Sequence, residues 1–292
     1  MVDYDMPLYR PPSEGRNLII QATLGCSYNR CSFCSMYRGK TFQARPREDV
    51  FADIDRAARV WPDAHRVFLA DGDALVLPTD DLLAILDKLD RTLPDLQRVS
   101  SYALPANLIK KSTDELAALR QRKLTLLYYG IESGSHDIQK RVTKGASPKA
   151  MVDGLDKARD AGMKVSAMVI LGLGGRRRWR DHIDGTIELV NRAPLSYLST
   201  LQLHLDEEVE AEFMAKFREP FEWQDDAGIL EELEHLVAHV EPPGPLIFRS
   251  NHASNALPLA GTLPKDRDKL LAALALARQG AVALRPDWAR GY

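Results

Sequence analysis

Short apolar runs alternate with helix-forming segments through the first two thirds of the chain. Each run is brief and often β-branched, as is typical of buried strands. The predicted strands span residues 17–23, 66–70, 98–103, 124–130, 164–171 and 197–204. Strands that are separated by helices favour a parallel sheet with right-handed crossovers.

Helix start signals lie between these runs. Ser112 is followed three positions later by Glu115, and this capping box predicts a helix over 113–122. Acidic residues at one start and a Ser-Pro pair at another predict helices over 79–91 and 148–161. Six strand–helix units can form a partial barrel or a doubly wound open sheet.

The alternation stops near residue 204. The segment 205–292 shows helical signals around a loop that is rich in proline and glycine, residues 242–245. We therefore expect two domains, an α/β core over 1–204 and a mainly helical C-terminal extension over 205–292.

Composition narrows the function classes. The chain has 292 residues, of which 45% are hydrophobic, and its 39 basic and 41 acidic residues give a net charge of -2. The longest apolar run, Met168 to Leu173, is far shorter than the roughly 20 residues of a membrane span. Near-neutral charge exerts no general attraction for nucleic acid, although residues 176–180 are locally basic. No signal peptide is visible in residues 1–16, so we expect a cytoplasmic protein.

The three cysteines of the chain lie within nine positions, at Cys26, Cys31 and Cys34. An iron–sulfur cube with three cysteine ligands keeps one iron open, whereas zinc usually takes four protein ligands or three and a water. Three unrelated buried thiols, or one disulfide and a leftover thiol, are the alternatives. The polar composition of the loop argues against burial.

The flanks of this loop resemble those of the radical S-adenosylmethionine (SAM) superfamily. An apolar strand leads into the loop and Phe33 precedes the last cysteine, but the first gap has four residues where the superfamily usually has three. The resemblance implies a 4Fe-4S cluster on a loop over 25–35, SAM at its open iron, and Phe33 in the cofactor site. It also favours an α/β fold with a partial (β/α)6 TIM-like barrel.

The strand ends extend this resemblance. Asp71, Gly72 and Asp73 follow the second strand, where the superfamily usually shows Gly-Gly-Glu, and are expected to meet the SAM amino group. After the fourth strand, Glu132 is expected to contact SAM and Lys144 to pair with its carboxylate, with Arg141 as the alternative cation.

The fifth strand ends in a glycine-rich stretch that resembles the adenine-flanking segment of the superfamily. There, main chain at Ile170 and Leu171 is expected to flank the adenine. The proline and the acid of the familiar branch are absent, because Gly174 and Arg176 stand at those positions. The basic run from Arg176 is either a solvated helix start or a site for phosphate or carboxylate.

Candidate substrate-side residues lie at the sixth strand and in the extension. His204 is either an active-site group or a hydrogen-bonded core histidine. The polar run 249–255 is framed by apolar residues, and within it we expect His252 and Asn255 to face the substrate. His235 and His239 have zinc-ligand spacing, but the apolar stripe of their helix explains them without metal.

Together, the resemblance implies a radical SAM enzyme of the elongator and methylthiotransferase-like branch. It implies cleavage of SAM to a 5′-deoxyadenosyl radical, hydrogen abstraction from a substrate expected to be a small molecule, and an electron donor such as flavodoxin or ferredoxin. Because the cluster uses all three cysteines, a second cysteine-ligated cluster is not expected. The alternatives are an RNA-modifying radical enzyme, transfer of the 3-amino-3-carboxypropyl group, an iron–sulfur carrier, and a zinc-binding RNA module.

Overall fold

A computed structural model describes residues 3–291 of the chain. The strands are β1 Leu18–Gln21, β2 Thr23–Leu24, β3 Gln43–Ala44, β4 Arg66–Ala70, β5 Arg98–Ala103, β6 Leu124–Glu132, β7 Lys164–Leu171, β8 Tyr197–Gln202, β9 Leu246–Arg249 and β10 Ala260–Leu263. The helices are α1 Arg47–Val60, α2 Thr79–Thr92, α3 Pro105–Lys110, α4 Thr113–Gln121, α5 His136–Arg141, α6 Pro148–Asp160, α7 Gly175–Arg192, α8 Glu207–Phe217, α9 Asp226–His239 and α10 Arg267–Arg278.

The α/β fold class is confirmed. Eight strands form one mostly parallel sheet in the order β1-β4-β5-β6-β7-β8-β9-β10, and β2 pairs with β3 in a separate ribbon. All six predicted strands are present within a few residues of their expected ends. Consecutive parallel strands that are joined by helices are the arrangement of a partial (β/α)6 barrel.

The helix signals in the sequence are also confirmed. The Ser112 hydroxyl accepts from the Glu115 N–H at 3.1 Å, and the Glu115 carboxylate accepts from the Ser112 N–H at 2.7 Å. This reciprocal pair satisfies two donors that the first turn of α4 would otherwise leave open. Helices α2 and α6 match the expectations over 79–91 and 148–161.

The chain forms two compact units. Unit 1 comprises Met1–Asn29, Met36–Tyr129 and Asp156–Val165, and unit 2 comprises Arg30–Ser35, Gly130–Leu155 and Ser166–Tyr292. This division by compactness does not follow the expected domain boundary after residue 204, which stays a prediction.

In unit 1, parallel strands β1, β4 and β5 form the centre of the core. Phe68 on β4 and Ile20 on β1 are fully buried, and so are Ile54 of α1 and Leu86 of α2. Strands that are buried on both faces read as continuous apolar runs, which is why the sequence revealed them. Asp71 and Asp73 follow directly after the carboxyl end of β4.

In unit 2, the C-terminal region adds two strands that the sequence did not predict. Strand β9 pairs in parallel with β8, and β10 pairs antiparallel with β9. Each has only four residues and lies near prolines and glycines, so its pattern is too short to stand out. An apolar cluster of unit 2 includes Ile138, Leu173 and Phe213, and Phe33 and Ile170 pack against it.

Candidate cluster and cofactor site

The cysteine loop contributes to both units. Cys26 belongs to unit 1, while Cys31 and Cys34 belong to unit 2, and each thiol is partly exposed. In unit 2, a turn joins the Cys34 N–H to the Cys31 carbonyl at 3.2 Å. Across residues 3–291, no three His, Cys, Asp or Glu side chains are grouped to hold a single metal ion. A four-iron cube holds each cysteine on a different iron and does not need that grouping.

In unit 1, the segment after β4 surrounds Cys26 with hydrogen bonds. The Gly25 N–H donates to Asp71 Oδ2 at 3.1 Å, and the Ser27 N–H donates to Asp73 Oδ1 at 2.9 Å. Between them, the Gly72 N–H donates to the Gly25 carbonyl at 3.0 Å. A Cβ on Gly72 would lie 2.8 Å from Cys26 Cβ, so this close approach requires glycine.

Both aspartates of this segment are buried. Burial raises the pKa of Asp71, against the opposing effect of Lys40, whose Nζ lies 3.1 Å from Oδ2. Burial likewise raises the pKa of Asp73, against the hydrogen bonds from Ser27. Burial, and then the charge of Asp71, raise the pKa of Tyr37. The expected contact of Asp71 and Asp73 with SAM stays a prediction, and both carboxylates already accept protein donors.

In unit 2, Glu132 and Lys144 form a buried ion pair. Lys144 Nζ lies 2.9 Å from Glu132 Oε1 and 6.0 Å from the centroid of the Phe33 ring. Burial alone would lower the pKa of Lys144, but the negative charge of Glu132 and, after it, those of Cys31 and Cys34 outweigh this effect, and the pKa is raised. The alternative cation, Arg141, is bound to Asp137 at 2.6 Å instead.

These surroundings fit an iron–sulfur cluster. Thiolates are the ligating form of cysteine, and a neighbouring cation favours the thiolate over the thiol. Lys144 supplies such a cation to Cys31 and Cys34. Cys31 and Cys34 therefore fit as residues that would hold the cluster, and ligation by Cys26, Cys31 and Cys34 together stays a prediction.

The end of β7 is fixed by a histidine that the sequence analysis missed. His182 Nε2 lies 2.9 Å from the Ile170 carbonyl, and Nδ1 lies 2.8 Å from Ser133 Oγ. Because a carbonyl only accepts, we assign the proton to Nε2 and let Nδ1 accept from the serine hydroxyl. Burial lowers the pKa of His182 to about 4, so the ring is neutral. Its place on the buried face of α7 beside Ile183 and Thr186 is the signal that could have revealed it.

A second missed residue, Glu232 of α9, binds the turn after β7. Its Oε2 accepts from the Gly172 N–H at 2.7 Å, and its Oε1 accepts from Gln224 Nε2 at 3.0 Å. Burial raises the pKa of Glu232 to about 7. Nothing in the local sequence around Glu232 indicates this role.

The basic run at the start of α7 is paired with acids of the segment 219–225. Arg176 binds Asp225 at 2.6 Å, Arg177 binds Glu222 at 2.6 Å, and Arg178 binds Glu219. We call these three pairs the arginine ladder. It accounts for the run without a phosphate or a substrate carboxylate.

The candidate substrate-side residues have different surroundings. His204 is exposed, with Nε2 3.5 Å from Asp206 Oδ1, and the other oxygen of Asp206 accepts from Ser35, next to Cys34. His252 is half-buried and contacts Ser254 Oγ at 2.8 Å. Burial, and then the charge of Arg285, lower the pKa of His252.

Asn255 is buried and has structural bonds. Its Nδ2 donates to the Thr200 carbonyl at 2.7 Å and to Ser250 Oγ at 3.1 Å. These bonds tie the polar run to β8. Substrate roles for Asn255, His252 and His204 stay predictions.

The pair His235 and His239 is bound within the protein. His235 Nε2 lies 2.6 Å from Asp184 Oδ1, and His239 Nδ1 lies 2.9 Å from the His235 carbonyl. In the described part of the chain they join no metal-holding group.

Comparison with known protein families identifies the family of the chain. The model of the radical SAM superfamily matches residues 20–190, more than half of the chain. The chain belongs to the radical SAM superfamily. It is therefore a radical SAM enzyme, and its cofactors are a 4Fe-4S cluster and SAM.

A relative supports the expected branch of the superfamily. The methylthiotransferase-like protein MJ0865 of Methanocaldococcus jannaschii is 27% identical over 167 residues. The match covers 54% of this chain but only 36% of the relative, so this chain spans about a third of that protein. The relative fits the elongator and methylthiotransferase-like branch.

Solved structures share the fold. Coproporphyrinogen III oxidase from Escherichia coli, a radical SAM enzyme, matches with a TM-score of 0.55 and 16% identity over 76% of this chain and 51% of its own. Methylornithine synthase matches with a TM-score of 0.51 and 15% identity over 75% of this radical SAM chain and 61% of its own. At such low identity these likenesses show the fold alone.

Among residues 3–291, no helix combines the length and the apolar character that a membrane span needs.

Proposed function

We propose that this radical SAM enzyme abstracts hydrogen from a small-molecule substrate. Cys26, Cys31 and Cys34 hold the cluster, and an external one-electron donor such as flavodoxin or ferredoxin reduces it. When bound, the cluster and SAM supply the chemistry, a one-electron cleavage of the sulfonium bond that yields methionine and a 5′-deoxyadenosyl radical.

The chain contributes binding and orientation. Lys144 and Glu132 form the polar group that meets the charged end of SAM, beside the ring of Phe33. Main chain at Ile170 and Leu171 flanks the adenine, with His182 holding the Ile170 carbonyl in place. We propose that His204, His252 and Asn255 lie on the substrate side. His204 or His252 can move a proton, and Asn255 holds the polar run 249–255 in place.

One observation carries the proposal, the location of Lys144. A buried ammonium that acts on both Cys31 and Cys34 favours two thiolates on one loop. The same ammonium is paired with the Glu132 carboxylate at the end of β6. A zwitterionic ligand can bind there because its carboxylate can pair with Lys144 and its ammonium with Glu132. A structural ion pair alone would not require thiols beside it.

The direct experiment is anaerobic incubation of the reconstituted protein with SAM and dithionite. We expect 5′-deoxyadenosine and methionine as products in mass spectrometry. Formation of 5′-methylthioadenosine instead would indicate release of the 3-amino-3-carboxypropyl group. Absence of both products from protein that holds four irons would favour the iron–sulfur carrier.

Cysteine variants test the cluster assignment. Cys26→Ala, Cys31→Ala and Cys34→Ala should each lose most iron and all SAM cleavage, because the chain has no other cysteine to replace the ligand. Ser32→Ala is the matched control, since the buried Ser32 hydroxyl finds no hydrogen-bond partner within residues 3–291. Full iron content in any of the cysteine variants would contradict the assignment.

The substrate class can be tested before the substrate is known. Small-molecule and RNA fractions of a cell extract are added separately, and the rate of 5′-deoxyadenosine formation is measured. Stimulation by the small-molecule fraction is expected, because a net charge of -2 gives no general attraction for RNA. Stimulation by RNA alone would favour the RNA-modifying alternative. The methylthiotransferase activity in the name of the Methanocaldococcus jannaschii relative does not extend to this proposal, because the match covers only 36% of that protein.

A further inference from the structure

We propose that the Asp71-Gly72-Asp73 segment positions Cys26 and that the Asp73 carboxylate is not a ligand of SAM. This inference rests on the proposed role of Cys26 as a cluster ligand. The segment then acts as a brace for the first cysteine of the loop.

The brace holds both neighbours of Cys26 by their main chain. Asp71 accepts from the N–H of Gly25, and Asp73 accepts from the N–H of Ser27. The Gly72 N–H closes the set by donating to the Gly25 carbonyl at 3.0 Å. With the residue on each side fixed, the Cα of Cys26 has little freedom to move.

The carboxylate of Asp73 has little capacity left for an ammonium. Both oxygens of Asp73 accept from Ser27, one from the N–H and one from the hydroxyl, and Asn107 also donates to this carboxylate. Oδ2 of Asp71 accepts from both Gly25 and Lys40, whereas its buried Oδ1 has no hydrogen-bond partner within residues 3–291. Neither aspartate has exposed surface. An ammonium that bound Asp73 would have to displace the donors of Ser27 and Asn107 and enter a closed site.

The long first gap of the loop explains why a brace is useful. Four residues separate Cys26 from Cys31, where the superfamily usually has three. Each added flexible residue increases the conformational entropy that the loop loses when it is ordered. Hydrogen bonds that fix residues 25 and 27 remove part of that freedom before the cluster binds.

The variant Ser27→Ala distinguishes a brace role of Asp73 from a SAM-binding role. It removes the hydroxyl that donates to Asp73 and changes no atom of the carboxylate. If Asp73 is a brace, Ser27→Ala should lower iron content and speed amide exchange at residue 27 by roughly tenfold, the effect of losing one charge-assisted hydrogen bond. If Asp73 binds SAM, Ser27→Ala should leave iron content unchanged.

Asp73→Asn is the second variant, and Asp63→Asn, at an exposed aspartate of the same unit, is the control. Iron per chain, SAM affinity per loaded cluster and a thermal melt are measured for each. Amide exchange at Gly25 and Ser27 is measured on cluster-free protein. We expect faster exchange and lower iron content for Asp73→Asn, with SAM affinity per loaded cluster within about threefold of the wild type.

Unchanged exchange and iron content in Asp73→Asn, together with SAM affinity that falls tenfold or more, would overturn the brace and assign Asp73 to SAM. The exchange measurement needs neither cluster nor SAM. A failure of the proposed function, seen as wild-type protein that loads no iron, is therefore distinguishable from a failure of the brace.

Discussion

The end of β4 in unit 1 and the ends of β6 and β7 in unit 2 are stabilised in different ways. After β4, the side chains of Asp71 and Asp73 themselves accept the bonds that hold the neighbouring loop. After β7, the segment Gly172–Gly175 has almost no side chains, and Glu232 accepts the Gly172 N–H from 60 positions away. The β6 end depends on Lys144 and His182.

The difference concerns where the hydrogen-bonding groups come from. A segment that carries its own carboxylates can order a neighbouring loop by itself, and its residue types show this in the sequence. A glycine-rich segment lets the main chain approach a ligand, but it needs partners from elsewhere in the fold. The C-terminal region supplies those partners in unit 2.

The largest effect is expected at the β6 end. Lys144→Met leaves Glu132 as a buried carboxylate without its cation, and removing one partner of a buried pair costs about 3–5 kcal/mol of unfolding free energy. Urea unfolding of cluster-free protein measures this loss, with the exposed Lys140→Met as control. The double variant Lys144→Met/Glu132→Gln should recover part of it. Wild-type stability in the single variant would show that the pair does not support this end.

Close main-chain packing in unit 2 should give the next effect. A Cβ on Gly134, just after β6, would lie 2.0 Å from the Gly185 carbonyl oxygen of α7. Gly134→Ala should therefore cost about 1–3 kcal/mol of unfolding free energy, because backbone must shift to accept the methyl group. Gly244→Ala is the control, since a Cβ there meets no atom within 4 Å. Equal melting temperatures of the two variants would contradict this packing.

Glu232 should make the β7 end sensitive to pH. Burial raises its pKa from 4.5 to about 7, so the folded protein keeps a proton that the unfolded chain has released between these values. Stability relative to Glu232→Gln should fall as the pH rises through this window, by at most about 3 kcal/mol, and stay level above it. Urea unfolding of both proteins from pH 5 to about pH 8 measures the difference. If the difference in unfolding free energy between the two proteins did not change with pH, the pKa of Glu232 would not be raised by folding.

The arginine ladder should give the smallest effect. Arg177 and Glu222 are about half exposed, at 54% and 46%, so water and salt screen their pair. Arg177→Ala should cost only about 0.2–1 kcal/mol of unfolding free energy. The cost should vanish in roughly 1 M salt. A loss as large as that of Lys144→Met would show that the ladder, like the ion pair, stabilises unit 2.

The sequence by itself determined the core strands and the chemistry of the loop. Six apolar runs predicted six strands, because strands that are covered on both faces need continuous hydrophobic sequence. Ser112 and Glu115 predicted a helix start, because a capping box forms within four residues. Cys26, Cys31 and Cys34 predicted the cluster, since their ligand type and spacing are local properties of the chain.

Only the tertiary structure decided which groups meet at the strand ends. It showed that Asp73 binds Ser27, that His182 holds the Ile170 carbonyl, and that Glu232 reaches Gly172. It also added β9 and β10, whose four-residue patterns are too short to recognise. These contacts join residues that are far apart in sequence, and each one gives a buried polar group a partner that its local sequence does not supply.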